Sequence, residues 1–233
     1  MSSSNLDTIF LQPTDPNEIH KIINSLNNTN SVGNDEISTR CIKLCAKFIC
    51  KPLSHIVNMS LEEGTFPELL KTSIIKPLFK KGDVTDMNNY RPITLIPIFS
   101  KIFEKIMLNR LNSFVTNKKI ISEEQFGFRK NSTTSLACFN LVKIITEAIN
   151  ENTPVTAIFL DMTKAFDFVD HKLLLQKLNH YGIRGKANDW LKSYLTDRKQ
   201  YVEIAKVIDG IRHKNKSELL INKFGVPQGS VLG

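Results

Sequence analysis

Apolar and polar positions alternate along this chain with two distinct periods, and the elements they predict can be read in order. Asp15-Pro16-Asn17-Glu18 is a helix start, with Asp15 as cap and Pro16 at the first helical position. Ile19, Ile22, Ile23 and Leu26 then share one apolar face. Residues 27–36, polar and containing Gly33, read as a loop. Two helices are expected over 38–50 and 53–63, separated near Pro52 and closed by Gly64. Thr72–Phe79 and Tyr90–Ile96 read as strands of a hairpin around Lys80–Asp83. Helical spacing returns over 100–115 and 133–150. Val155–Leu160, short, apolar and rich in β-formers, is expected to be a strand buried on both faces with Asp161 at its end. Helices over 171–180, capped by Asp170, and over 185–196 precede strands at about 200–208 and 218–224.

The pattern is therefore mixed α and β, without repeats or low-complexity tracts. The 233 residues suffice for one sizeable domain or two small ones. Hydrophobic residues at 41% and charged residues at 23% exclude a disordered or collagen-like chain. The longest apolar runs are strand length, well short of the ~20 residues of a membrane span. The first ten residues lack the features of a secretory signal, so a nuclear or cytoplasmic protein with no membrane partner is expected. In such a compartment the four cysteines read as reduced thiols with no disulfide partner.

Charge sharpens the picture. The net charge is +8, and residues 71–130 hold twelve Lys and Arg against five Asp and Glu. A stripe of that kind suits a phosphate backbone, although a solvated basic face has the same composition. Cys41, Cys45, Cys50 and His55 come near a zinc-knuckle spacing, but buried helix cysteines explain the pattern better, and Cys138 reads as core. His171 reads as a capping or packing residue at a helix start.

Three segments could carry chemistry. Asp161, ending an apolar run, is a metal-ligand candidate, because a carboxylate there is costly unless a cation or hydrogen bonds stabilise it. Phe224-Gly-Val-Pro-Gln-Gly-Ser230 sets Gln228 in a glycine-flanked turn that lets backbone approach a ligand. Gln125-Phe-Gly-Phe-Arg129 places an arginine just before a helix start near Ser132–Thr134.

Read in order, these pieces resemble the reverse transcriptase domain of non-LTR retrotransposons of the jockey-like kind. The matching segments are Asn89-Tyr-Arg-Pro-Ile93, Ser100-Lys-Ile-Phe-Glu-Lys105, Gln125–Arg129 with Ser132-Thr133, Phe159–Asp167 with Val169-Asp-His171, Trp190 with Ser193-Tyr-Leu195, and Gly225–Gly233. The resemblance implies an α+β fold: the fingers and partial palm of a right-hand polymerase. It implies a helical extension over 1–32, fingers over 33–153 and a partial palm over 154–233. Asp161, with the backbone carbonyl of Met162, would match the holder of the catalytic Mg2+ ions. Phe166 would match the aromatic under the incoming sugar that excludes a 2′-hydroxyl. Arg91 and Arg129 would grip the triphosphate of a dNTP, while Gln228 and Gly229 touch the nascent base pair. An RNA template and a DNA primer would be the partners. In the family an aromatic-x-Asp-Asp turn follows the glutamine loop by several tens of residues, and no Asp-Asp pair occurs in this sequence. The expectation is thus a domain fragment of an RNA-directed DNA polymerase that leaves its metal ions incompletely liganded and is inactive alone. The alternative is an inactive nucleic-acid-binding fragment or a remnant without function.

Overall fold

The computed structural model describes residues 7–29, 31–129, 131–162, 164–209 and 211–233; Lys130 of the basic stripe and Thr163 lie outside the described residues. The described residues form six helices and one five-stranded sheet: α1 Pro16–Ser25, α2 Thr39–Glu63, β1 Thr72–Phe79, β2 Tyr90–Leu95, α3 Ile98–Asn117, α4 Thr134–Asn150, α5 His171–His180, α6 Lys186–Leu195, β3 Lys199–Ile208, β4 Ile211–Lys216 and β5 Leu220–Ile221. They divide into two compact units, Met1–Asn112 with Lys164–Gly233, and Ser113–Thr163. No helix among the described residues is long and apolar enough to cross a membrane.

In the first unit the sheet runs β2-β1-β3-β4, with β5 also on β3. β1 and β2 are antiparallel, with Ile74 opposite Leu95 and Phe79 opposite Tyr90. β1 and β3 are parallel, Thr72 facing Lys199 and Ile75 facing Val202. β4 and β5 are both antiparallel to β3. β4 was not visible in the hydrophobic pattern because Ile-Arg-His-Lys-Asn-Lys has no apolar alternation; it pairs as an edge strand, where polar residues are tolerated. The final strand shrinks from the expected 218–224 to two residues.

α1 begins as its sequence dictates, with the Asp15 carboxylate accepting from the Glu18 amide at 2.8 Å. Its buried face, Ile19, Ile22 and Ile23, lies against α2. Arg110 of α3 grips Glu18 with two hydrogen bonds of 2.5 and 2.6 Å and reaches the carbonyls of Gln12 and Pro13. That guanidinium holds the Glu18 carboxyl below the ordinary glutamate range.

α2 is one helix where two were expected. Ser38 caps it, and Pro52 lies inside it. Ile42, Ala46, Cys50, Leu53, Val57 and Leu61 bury a single continuous face through the proline. Pro52 is on the solvent side, where the carbonyl left without a partner can turn to water. Cys41, Cys45 and Cys138 are exposed, so only Cys50 is the buried helix cysteine expected of all four. Gly64 ends α2 at φ +71°, a conformation open to glycine, and a Cβ there would press on α6 at 3.0 Å from Asp189.

The core of this unit is aromatic. Phe66 meets Trp190 and Tyr194 edge-on at 5.2 and 5.1 Å and Phe103 at 6.0 Å, while Trp190 stacks on Tyr194 at 5.8 Å. The Trp190 indole donates to Ser60 Oγ at 2.9 Å, and Ser60 donates to the Thr65 carbonyl at 2.5 Å. The cluster therefore ties the end of α2 and the start of α3 to α6.

The second unit comprises the end of α3, the loop to α4, α4 itself and residues 151–163. Thr133 caps α4 through the Leu136 amide at 3.1 Å, and none of the residues of α4 is buried. The expected strand over Val155–Leu160 does not form: these residues are in no ladder, and Ile158, Phe159 and Leu160 are 79%, 81% and 92% exposed. The run has the composition of a buried strand, but a strand exists only where a neighbour accepts its backbone hydrogen bonds, and none of the described residues does so.

Truncating Trp190 to Ala should lower the unfolding free energy by about 3–5 kcal/mol. Leu69→Ala, at a side chain 92% exposed, should change it by under about 0.5 kcal/mol. Urea unfolding followed by circular dichroism measures both, and a similar small effect from each would show that the aromatic cluster is not the core.

Candidate functional site

The glycine-flanked loop and the segment after Asp161 meet within the first unit. A turn at Lys164, at φ +54°, brings the Asp167 amide to the Lys164 carbonyl at 2.9 Å. Asp170 then caps α5 by accepting from the Leu173 amide at 2.8 Å. Against this turn lies the loop, with the Gly225 amide donating to the Val169 carbonyl at 2.8 Å and the Val226 amide to the Phe166 carbonyl at 2.9 Å. A Cβ at Gly225 would lie 2.7 Å from the Phe166 carbonyl oxygen, and φ there is +78°, so only glycine fits this approach.

Two side chains complete the lacing. His171 Nε2 stands 2.7 Å from the Gly225 carbonyl, which can only accept, so this nitrogen carries a proton. The reading of His171 as a packing residue at a helix start thus extends to a hydrogen bond holding the loop. Gln228 donates from Nε2 to Asp167 Oδ1 at 2.8 Å, and its backbone carbonyl accepts from the Thr94 amide of β2 at 2.9 Å. A cavity of about 280 Å³ opens beside this junction, lined by Ile75, Pro92, Asp167, Gln200, Phe224 and Gln228 among others. That lies near the lower end of small-ligand sites.

Of the residues singled out in the sequence, Phe166, Gln228 and Gly229 are brought together here. Phe166 keeps 38% exposure, and Gly229, at φ +99°, borders Thr94. Arg91 is exposed on β2, three residues before Thr94 on the strand that holds the loop. Asp161, Met162 and Arg129 belong to the second unit. Asp161 and Met162 are exposed, so Asp161 does not end a buried strand, and the desolvation argument for a bound cation does not hold for it. Arg129 donates to the carbonyls of Ser122 and Glu123 at 2.8 and 3.3 Å, within its own loop. Among the described residues no three His, Cys, Asp or Glu side chains come together as a metal site. Asp167, which carried no assignment in the sequence, is the carboxylate that orients Gln228; its only signal was its place beside Phe166 in the Phe159–Asp167 segment.

The basic stripe is less uniform than its composition. Lys71 is buried and pairs with Glu68, Lys76 pairs with the buried Glu203 at 2.5 Å, and Arg110 is held by Glu18. All three acids lie outside residues 71–130, so these cations are compensated. Lys80, Lys81 and Arg91 are exposed around the β1–β2 turn. That turn is well ordered by its own bonds, Lys80 to the Asn89 carbonyl at 2.8 Å, Asn89 to the Asp83 carbonyl at 2.9 Å and the Tyr90 hydroxyl to the Val84 carbonyl at 2.8 Å.

Comparison with known proteins matches residues 79–233 to the family described as reverse transcriptase (RNA-dependent DNA polymerase). The chain is 33% identical over 230 residues to the probable RNA-directed DNA polymerase from transposon BS of Drosophila melanogaster, an alignment covering 96% of this chain and 24% of that protein. It is 34% identical over 217 residues to the RNA-directed DNA polymerase from mobile element jockey of the same species, covering 93% and 23%. The jockey polymerase of Drosophila funebris is 31% identical over 239 residues, covering 100% and 25%. The chain thus spans about a quarter of the length of these relatives. A family match over most of the chain, joined to a glutamine loop laced onto the segment that follows Asp161, settles its membership: this chain belongs to the reverse transcriptase family.

Proposed function

We propose that this chain supplies part of an RNA-directed DNA polymerase of a non-LTR retrotransposon, with a helical extension over 1–32, fingers over 33–153 and the first part of the palm over 154–233. One observation carries the reading: the loop bearing Gln228 is fixed to Phe166, Asp167, Val169 and Thr94 by a set of hydrogen bonds of 2.8–2.9 Å, around a small cavity. A loop held this way can present Gln228 and the bare backbone of Gly229 to a nascent base pair without first paying to order them. Phe166, emerging from the same turn, serves as the steric floor under the sugar of a dNTP and rejects a 2′-hydroxyl. Arg91, on the strand that holds the loop, and Arg129 supply cations for the triphosphate.

Asp161 and the carbonyl of Met162 are the chain's contribution to magnesium binding. One carboxylate and one carbonyl are fewer protein ligands than two magnesium ions shared with a triphosphate call for, so this chain holds the ions only in part. The isolated chain should therefore act as a nucleic-acid-binding fragment on RNA template and DNA primer, the second reading, favoured by the exposed Lys80, Lys81 and Arg91.

The 233-residue chain alone should fail to extend a DNA primer on an RNA template. The same chain continued by the following palm segment of the jockey polymerase should extend it, and Asp161→Asn should abolish extension while leaving the melting curve unchanged. Extension by the Asp161→Asn protein at the parent rate would overturn the assignment.

In that continued polymerase, Phe166→Val should change the ratio of kcat/KM for ribonucleotides and deoxynucleotides toward the former, because the discrimination is steric. A loss of both activities in parallel, with a lower melting temperature, would instead make Phe166 a packing residue.

Binding of the 233-residue chain to a duplex should weaken with salt. Replacing Lys80, Lys81 and Arg91 by Gln should make the log–log salt slope shallower by up to about 0.9 for each phosphate no longer neutralised. An unchanged slope, read by fluorescence anisotropy across a salt series, would remove the β1–β2 turn from the nucleic-acid track.

A further inference from the structure

Ser100-Lys-Ile-Phe-Glu104 carries part of the family likeness yet takes no part in the contacts around Gln228 described above. Its acid lies in the interior. Glu104 is fully buried in the first half of α3. A carboxylate in that position is costly unless several donors surround it. The donors are present: Ser100, one turn earlier, gives its hydroxyl to Oε1 at 2.8 Å, and the amides of Val231 and Leu232 donate to Oε2 at 2.8 and 3.3 Å.

A buried cation accompanies it. Arg198 donates to the Tyr194 carbonyl at 3.2 Å and lies 4.6 Å from the centre of the Tyr194 ring, and its charge opposes that of Glu104. The Tyr194 hydroxyl reaches Ser230 Oγ at 3.4 Å. Burial pushes the Glu104 carboxyl up, against the pull of Ser100, Arg198 and the two amides. Two charges in an apolar interior are poor stabilisers compared with apolar residues of the same shape, so their presence calls for another role. Geometry supplies one. Along the chain the loop is held at Gly225 and Val226 by Val169, Phe166 and His171, and at Val231 and Leu232 by Glu104, with Gln228 between these two anchors.

We propose that Glu104 is the positioning residue of the glutamine loop, fixing through the amides of Val231 and Leu232 where Gln228 stands. Its consequence for nucleotide selection rests on the polymerase reading above; the anchoring does not. Thr94 reports on it from a distance, because its amide donates to the Gln228 carbonyl and not to Glu104.

Amide hydrogen exchange in the 233-residue chain, read by NMR, tests this without nucleotide. Glu104→Leu fills the helix position and removes the acceptor. Protection at Val231, Leu232 and Thr94 should fall by about tenfold or more, the factor for losing a charge-assisted hydrogen bond. Protection in α1 and α2 should hold. Glu104→Gln, which keeps a carbonyl acceptor, should retain Thr94 protection within about threefold of the parent, well inside one such bond. Should Glu104→Leu fail to fold, Glu104→Leu with Arg198→Met removes the unbalanced charge and is read the same way. Unchanged protection at Thr94, or an equal rise in exchange across α1, α2 and the loop, would overturn the proposal, the second by showing a purely structural role. Failure of the primer-extension tests would leave these amide results standing, and the reverse.

Discussion

The candidate site rests on a sheet whose two central strands, distant in sequence, pair in parallel. β1 accepts β3 with Thr72 facing Lys199, so a crossover of more than a hundred residues must fold back before the sheet is complete. A parallel pair cannot be made by a tight turn, and its stability has to come from what packs beside it. The Phe66, Trp190 and Tyr194 cluster ties α6 to the end of α2 just before β1 and β3 begin. Lys199 also donates to the Lys71 carbonyl at 3.2 Å, continuing the pairing to the edge of that cluster. β2 joins β1 locally, and the loop at Gln228 docks on β2 through Thr94. The site is thus assembled from contacts between stretches far apart in sequence, each of which carries the loop-closure cost of a non-local pairing.

Carboxylates in this unit do three different jobs, set by their surroundings. Glu18 and Glu203 are paired with cations, and both are held below the usual carboxylate range, Glu203 first by Lys76 and then by Lys214 and Lys216. Asp167 sits at the surface and orients a glutamine. Glu104 is enclosed and binds backbone amides. The pairs explain why the basic excess between residues 71 and 130 overstates the charge available to a nucleic acid: a cation beside a buried acid has its field cancelled at short range, whereas Lys80, Lys81 and Arg91 project theirs into solvent.

Periodicity revealed most helices and the β1–β2 hairpin within a residue or two, because each has an apolar stripe and local caps or turns: Asp15, Ser38, Thr133 and Asp170 all cap as their side chains allow. It failed where the deciding partner is remote. Pro52 reads as a break, but the continuous buried face of α2 carries the helix across it. β4 has no apolar signature and is held by its pairing with β3. Gln228 and Phe166 carried assigned roles in their motifs, while Asp167 and Glu104 lay in motifs without one and Arg198 in none, since the task of a buried or surface charge depends on which distant group it meets. Exposed Cys41 and Cys45 share a helix with buried Cys50, a distinction that residue type alone does not contain.

Val155–Leu160 shows the same limit from the other side. Its composition is that of an interior strand, yet its backbone makes no ladder and Leu160 is 92% exposed. Burying three side chains such as Ile158, Phe159 and Leu160 is worth roughly 1.5–3 kcal/mol each, but the gain is realised only if backbone groups are satisfied in the same step, at about 1–3 kcal/mol for every buried one left unpaired. Without a paired neighbour the second effect offsets the first, and the run stays exposed. Asp161 inherits this state. It follows an unpaired run and is itself exposed, so a strand added beside Val155–Leu160 would enclose the residues that lead into it and change what Asp161 faces.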